Sequence, residues 1–335
     1  MICVLSQSSL ESTTEAVIGW LRSWGTPVIR LNVEDIRQNH LSVAINENGI
    51  TVSCEAGPVT FSSDLIKVVW LRRWRYYNVP SGPLLVSRIS QEDFERNSLT
   101  LGVHLRRELR SLSEFIFESL SRARWLNKPE RSIVNKLRVL KLASECGLDV
   151  PDTLISTDAS ALSEFASRHG RVVTKSIGDT FICELDGRSF ASYTSVIRTS
   201  DLKEGPERLF PTLLQECLDK EYEIRAFYLD GRFYSMAIFS QTDEQTSVDF
   251  RRYLFARPNR TVPFHLPVDL ASKLSNLMSK LDLETGSIDL VKTRDGRIIF
   301  LEVNPAGQFG MVSYPCNYHL DREVASALVR RLGRG

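Results

Sequence analysis

Three Asp-Gly dipeptides, at 186–187, 230–231 and 295–296, each interrupt a run of apolar and β-branched residues. Asp-Gly accepts the positive φ that a two-residue primed turn demands, so each pair of flanking runs reads as the two strands of an antiparallel hairpin. The runs are FICEL and RSFASYT, EIRAFYL and RFYSMAIFS, and GSIDLVKT and RIIFLEVN. RVVTKSI and TLLQECL read as further strands. Helices are read between them: SIVNKLRVLKLASECG ending at Gly147, DASALSEFASRHG opened by Asp158 and closed by Gly170, PVDLASKLSNLMSKLDL, and REVASALVRRL near the C-terminus. Local ribbons with interspersed helices make the last two thirds of the chain α+β.

The first third has a different pattern. ICVLS, PVIRLNV and LIKVVWL read as short buried strands. Between the first two, Ser12 and Glu15 fit a capping box, Val17, Leu21 and Trp24 share a helical face, and Gly25 stands where a C-terminal cap would. A hairpin is expected around Asn48-Gly49. From Gln91 to Leu126, apolar residues at Phe94, Leu101, Leu105, Leu109, Leu112, Ile116 and Leu120 predict a helix, with a break near Gly102. This is a small open α/β domain. A Pro in NKPE marks its end, and the expected division is 1–126 (N-terminal α/β), 127–214 (central) and 215–335 (C-terminal, antiparallel).

A formal net charge of +1 over 335 residues gives no general attraction to nucleic acid or anionic lipid, so neither partner is expected. There is no apolar run of bilayer length and no signal-like start, and the 6 Cys form no CxxC pair. The expectation is a cytoplasmic protein with reduced thiols.

The last ribbon carries the chemistry. With a two-residue turn at Asp295-Gly296, counting outward places Asp289 opposite Glu302, and alternation puts Asn304 on the same face. Two opposed carboxylates repel unless something neutralises them. A hard divalent cation would do so, since carboxylate and carboxamide oxygens are the ligands Mg²⁺ takes. The bland reading is a solvated hairpin end, against which the apolar flanks argue. Lys175 closes the strand RVVTKSI, either as a phosphate ligand or as a surface strand end. Glu216 and Glu223 are edge charges or nucleotide contacts, and Arg225, two residues from Glu223, is a phosphate contact or a salt-bridge partner.

The order of these groups resembles an ATP-grasp enzyme over roughly residues 128–320: Lys136 in a helix, Lys175 at a strand end, QECL, the pair Glu223 and Arg225, then Asp289, Glu302 and Asn304. VVWLRRW, EYEIRAFYLDGRFYSMAIFSQ, VDFRRY and LEVNPAGQFGMVS are further similar to the ATP-grasp peptide maturases that make graspetides, the microviridin-type ribosomal peptides cross-linked by ω-ester or ω-amide bonds. The resemblance implies an ATP-grasp fold with ATP and Mg²⁺ as cofactors. Lys136 and Lys175 would hold phosphates, Gln215, Glu216, Cys217 and Leu218 would line the adenine, and Glu223 the ribose. Asp289, Glu302 and Asn304 would bind metal, and the catalytic Arg225 and Arg251 would face the phosphoryl group. The implied reaction phosphorylates an Asp or Glu side chain of a ribosomal precursor peptide, and a Thr, Ser or Lys side chain then closes the ring. The loop after Lys175 departs from the family in having one Gly, Gly178. Asp249 is a candidate base for the acceptor, against a plain ion pair with a neighbouring Arg.

For the peptide, Arg72, Arg73 and Trp74 follow a buried strand, where ligands commonly bind, although a cation–π seam would use the same residues. The hairpin Phe181–Tyr193 is a second candidate, because leader peptides dock on such a hairpin in similar maturases. The competing functions are a glutamate or amino-acid ligase and a non-catalytic ATP-binding regulator. A homodimer is left open. Asp289→Asn or Glu302→Gln is expected to abolish turnover with the fold nearly intact.

Overall fold

A computed structural model describes residues 1–9, 11–38, 41–47, 49–53, 60–74, 91–178, 182–185, 188–203, 206–240 and 259–333. The chain divides into two compact units, Met1–Ser132 with Leu320–Gly335, and Ile133–His319.

The first unit opens with β1 (Ile2–Ser6), α1 (Ser12–Ser23), β2 (Val28–Asn32) and α2 (Asp35–Gln38). A small antiparallel sheet of β3 (Ser42–Asn46), β4 (Gly49–Ser53) and β5 (Thr60–Ser62) follows, then β6 (Val68–Leu71), α3 (Gln91–Ser119) and β7 (Arg124–Leu126). The main sheet is parallel, in the order β2-β1-β6-β7. Every residue of β1 and β6 is buried, as expected of parallel strands covered on both faces. Cys3, Leu5, Leu31, Val69 and Ile116 belong to its core.

Three local expectations need correction here. Glu11, not Ser12, precedes α1, and it makes no side-chain cap bond. Its carboxylate is instead drawn to the arginines that follow β6. The β3–β4 register pairs Asn46 with Gly49, so that turn sits one residue earlier than the Asn-Gly dipeptide suggested. α3 also runs through Gly102 without a break, since one glycine costs a long helix only about 1 kcal/mol. Gly25 does close α1 as expected, at φ +67.

The second unit begins with α4 (Lys136–Glu145), capped by Asn135, whose side chain accepts from the amides of Leu137 and Arg138. Next come β8 (Thr153–Asp158), α5 (Ala159–His169), β9 (Val172–Thr174), the ribbon β10 (Ile182–Leu185) and β11 (Arg188–Ala191), β12 (Ser195–Ile197), α6 (Thr199–Lys203) and β13 (Arg208–Glu216). These give a sheet ordered β12-β9-β13-β8, with α5 packed on it through Leu162, Phe165 and Ala166. Then follow β14 (Lys220–Leu229), β15 (Arg232–Phe239), β16 (Arg260–Phe264), α7 (Val268–Lys280), β17 (Thr285–Thr293), β18 (Ile298–Asn304) and α8 (Gly310–Cys316). Their strands form an antiparallel sheet, β16-β15-β14-β17-β18. One face of it, with Ile224, Ala226, Ile288, Leu290 and Phe300, packs on Val139 and Ala143 of α4 and on Leu270, Leu274 and Leu277 of α7.

The last helix, α9 (Leu320–Leu332), belongs by packing to the first unit. Asp321 accepts a 2.7 Å hydrogen bond from the Trp20 indole, and the Arg124 guanidinium donates to the Arg331 carbonyl.

The last two Asp-Gly ribbons show how local chemistry sets register. β14 and β15 meet in the expected two-residue turn: Leu229 pairs with Arg232, and Asp230 and Gly231 have φ +48 and +84. The turn between β17 and β18 is longer. The Thr293 amide donates to Arg297 and the Gly296 amide to Thr293, so three residues form the loop, and Gly296 takes φ +92. That loop alone would move the partner of Asp289 off Glu302. A bulge at Leu301 then adds one residue to β18, and Asp289 pairs with Glu302 after all. The expected pairing is correct, although it arises by a different route.

Candidate active site

Register across the antiparallel sheet builds the site. Arg225 on β14 pairs with Asp289 on β17, which pairs with Glu302 on β18. One row of three strands therefore carries a cation and two carboxylates, on the face opposite the α4–α7 core. One row along in one direction are Glu223 and Val291, and in the other Phe227, Ser287 and Asn304.

This face lines a cleft of about 440 Å³ within the second unit, a size suited to a small ligand. The other sheet supplies Val173 and Gln215, which pair across β9 and β13, Lys175 lies just after β9, and the strand connection supplies Cys217 and Leu218. Lys175, Gln215, Glu216, Cys217, Leu218, Glu223, Arg225, Asp289 and Glu302 thus all line one cavity. Lys136 stands beside it, its Nζ 3.7 Å from the Glu302 carboxylate. Asn304 is exposed at the end of β18, two residues beyond Glu302. Arg251 and Asp249 lie outside the described residues, and so do Phe181 and the turn at Asp186-Gly187.

The charges are locally balanced. Arg225 Nη1 donates to both oxygens of Asp289 at 2.6 Å, with the side chains 10% and 14% exposed. The repulsion between Asp289 and Glu302 is therefore relieved in this structure by Arg225 and Lys136. Arg225 Nε is buried and has no hydrogen-bond partner among the described residues. Glu223 is buried, and its carboxyl is pushed above the ordinary range, chiefly by burial and further by Asp289, while Lys220 and Ser240 oppose the shift. Gln215 donates to the Thr153 hydroxyl at 2.9 Å, and Glu216 turns its carboxylate to the Asp152 amide, so the side chains of both are engaged with β8 and its approach.

Arg72, Arg73 and Trp74, expected at the peptide, are engaged with neighbours inside the first unit. Arg72 is 4% exposed, and its Nε lies 3.5 Å from Glu11; Arg73 Nε lies 2.9 Å from the other oxygen of that carboxylate. Trp74 donates to Ser113 and packs edge-on against Phe117. These contacts are internal to the first unit.

Sequence reasoning missed Lys220, Leu301 and Gly307. Lys220 and Leu301 line the cleft because of bulges, which no alternation rule reveals. Gly307 lies against the strand pair below Asn304: a Cβ there would sit 2.3 Å from Ser287. The Pro-Ala-Gly break after Asn304 was the available signal for it.

No protein-family model and no curated protein sequence matches the chain. Solved structures do. The RiPP-associated ATP-grasp ligase of Chryseobacterium gregarium, in complex with ADP and a leader and core peptide, aligns over 98% of this chain and 97% of its own, with TM-score 0.84 and 23% identity. The macrocyclase MdnC of Microcystis aeruginosa MRC, bound with precursor peptide MdnA, covers 98% and 100% at TM-score 0.80 and 23% identity. The macrocyclase MdnB of the same organism covers 98% of both chains at TM-score 0.74 and 25% identity. The chain therefore has the ATP-grasp fold.

Proposed function

We propose that this protein is an ATP-dependent ligase that activates Asp or Glu side chains of a ribosomal precursor peptide and joins them to Thr, Ser or Lys side chains, closing macrocyclic esters or amides. The observation that carries the reading is the Arg225–Asp289–Glu302 row, set in a cleft that also holds Lys175 and Glu223. The similar ligases and macrocyclases in complex with ADP or precursor peptides support it.

The residues suit the nucleotide and its metal. Two carboxylates and a carboxamide are oxygen donors of the kind Mg²⁺ accepts, and the buried Nε of Arg225 is a donor left for an anionic oxygen. Bound there, Mg²⁺ and ATP would supply charge neutralisation and the phosphoryl group that turns a carboxylate into a good electrophile. In this reading Asp289, Glu302 and Asn304 hold the metal, and Lys136 and Lys175 neutralise phosphate oxygens. Glu223 accepts from the ribose, and the chain around Cys217 and Leu218 borders the base. Arg225 offsets charge where the phosphoryl group is transferred, with Arg251 assigned the same task. The peptide brings both reacting groups on one molecule, so proximity supplies much of the remaining barrier reduction. The expected central subdomain, 127–214, gives the Lys175 wall, and the C-terminal one gives the metal wall.

The test is direct. Purified protein, ATP, Mg²⁺ and a cognate precursor should give ADP and a product lighter by one water per ring, read by mass spectrometry. A product that gains mass and requires free glutamate would indicate the amino-acid ligase instead. Nucleotide binding without peptide-dependent ADP release would indicate a regulator.

A further inference from the structure

We propose that Lys220 is a positioning residue for nucleotide recognition: it holds the Glu223 carboxylate, charged and oriented, against the ribose. The inference rests on the nucleotide reading above and concerns a residue to which that reading gives no role.

Lys220 and Glu223 are three apart on β14, and in a regular strand residues three apart face opposite ways. The ladder to β17 shifts between Lys220 and Tyr222, so Glu221 is an inserted residue. Lys220 then pairs with Thr293 and Glu223 with Val291, two β17 residues that share a face. The bulge therefore brings a lysine onto the wall of the cleft beside the carboxylate. Nζ lies 2.6 Å from Glu223 Oε1, with the side chains only 13% and 7% exposed. The fully buried Ser240 hydroxyl donates to the same oxygen at 3.2 Å. Both donors take Oε1, which leaves Oε2 for a ligand in the cleft.

The carboxylate needs this help. Burial is the strongest influence on Glu223 and favours its neutral form, and Asp289 adds in the same direction. Among the described residues, the charged groups on that face are Lys220, Arg225, Asp289 and Glu302, and the rest of the cleft wall adds His169, Arg171, Lys175, Glu216 and Asp219. Arg225 is committed to Asp289, so Lys220 is the cation that answers Glu223. Without it the folded-state value would rise further. The acceptor would then be neutral at low pH and would become charged only as pH rises through that value. Hydrogen bonds to a charged acceptor are the stronger kind, so losing the charge should reduce affinity roughly tenfold to a hundredfold.

Binding of ADP and of 2′,3′-dideoxy-ADP, with Mg²⁺, should be measured by calorimetry across the pH range in which each protein stays folded, on the wild type and on Lys220→Met, Lys220→Arg and Ser240→Ala. The wild type should prefer ADP. Lys220→Met should lose most of that preference at low pH and recover it as pH rises, with dideoxy-ADP affinity unchanged. Lys220→Arg should restore the wild-type profile, and Ser240→Ala should lose part of the preference. Should Lys220→Met not fold, the arginine and alanine variants carry the comparison. The proposal is overturned if Lys220→Met keeps the wild-type preference at every pH, or if it loses affinity for both ligands alike. A wild type that binds both ligands equally removes Glu223 from the ribose but leaves the nucleotide reading standing. A wild type that binds neither removes the nucleotide reading itself.

Discussion

Replacing the paired carboxylates Asp289 and Glu302 should have very different effects on stability, although under the proposed function either replacement should stop turnover. Asp289 and Arg225 are buried together, and Nη1 bonds both carboxylate oxygens. Asp289→Asn leaves a guanidinium in a low-dielectric site with its charge unanswered, a change that typically costs about 3–5 kcal/mol. The new amide keeps one acceptor for Nη1, which argues for the lower end. Glu302 and Lys136 are 25% and 30% exposed and 3.7 Å apart, so Glu302→Gln should cost only about 0–1 kcal/mol. For a unit of this size each kcal/mol moves Tm by about 2–4 °C. Scanning calorimetry of nucleotide-free protein should therefore show the second unit of Asp289→Asn melting about 6–12 °C lower, and that of Glu302→Gln within about 4 °C of wild type. The double variant Arg225→Met with Asp289→Leu removes both charges and should melt above Asp289→Asn alone. Equal melting of Asp289→Asn and Glu302→Gln, or strict additivity in the double variant, would refute the argument.

Other consequences can be checked separately. Asp295 accepts from Thr293 and from Arg297, contacts that hold its carboxyl down to about 2. A depressed carboxyl stabilises above its ordinary value and loses that contribution as pH falls, so the stability gap between wild type and Asp295→Asn should be constant above about pH 4 and close towards pH 2 in acid-unfolding curves. Gly307→Ala would force a Cβ to 2.3 Å from Ser287 and should cost about 1–3 kcal/mol by thermal melting, partly recovered by adding Ser287→Gly. Wild-type melting of Gly307→Ala would contradict it. Among the described cysteines, Cys3, Cys146 and Cys316 are buried, and burial pushes the Cys3 thiol up to about 12, whereas half-buried Cys217 lines the cleft. Peptide mapping after alkylation should find Cys217 the most reactive of these, and ADP at ten times its Kd should slow it about tenfold. Indifference to ADP would place the nucleotide elsewhere.

The sequence reading worked where one residue type settles the geometry. Gly25, Gly147 and Gly170 each follow a helix at positive φ, and Asp158 caps α5 through the Ser160 amide. The two-residue turn at Asp230-Gly231 is of the same kind, since its residues only had to allow a left-handed backbone. It failed where a side chain had a better partner at long range. Ser12 and Glu15 had the spacing of a capping box, but Glu11 precedes the helix and turns to Arg72 and Arg73, while Glu15 is claimed by Arg30. Those partners lie on β2 and just after β6, beyond the reach of any local pattern.

The same limit explains the paired carboxylates. Alternation and a hairpin turn were enough to put Asp289 across from Glu302, because a three-residue loop and a one-residue bulge shift the register in opposite senses. They were not enough to show what neutralises the pair. Mutual repulsion implied that something cationic must be near, and a metal was the inference; the fold also offers Arg225 and Lys136, one from β14 and one from the first turn of α4. These two readings are compatible if the cations serve as counter-ions in the free protein and turn to phosphate oxygens when nucleotide and metal arrive together. Arg225 then has the larger part, because it is buried against Asp289 in the free protein. Its charge has to be answered by that carboxylate in one state and by an anionic ligand in the other.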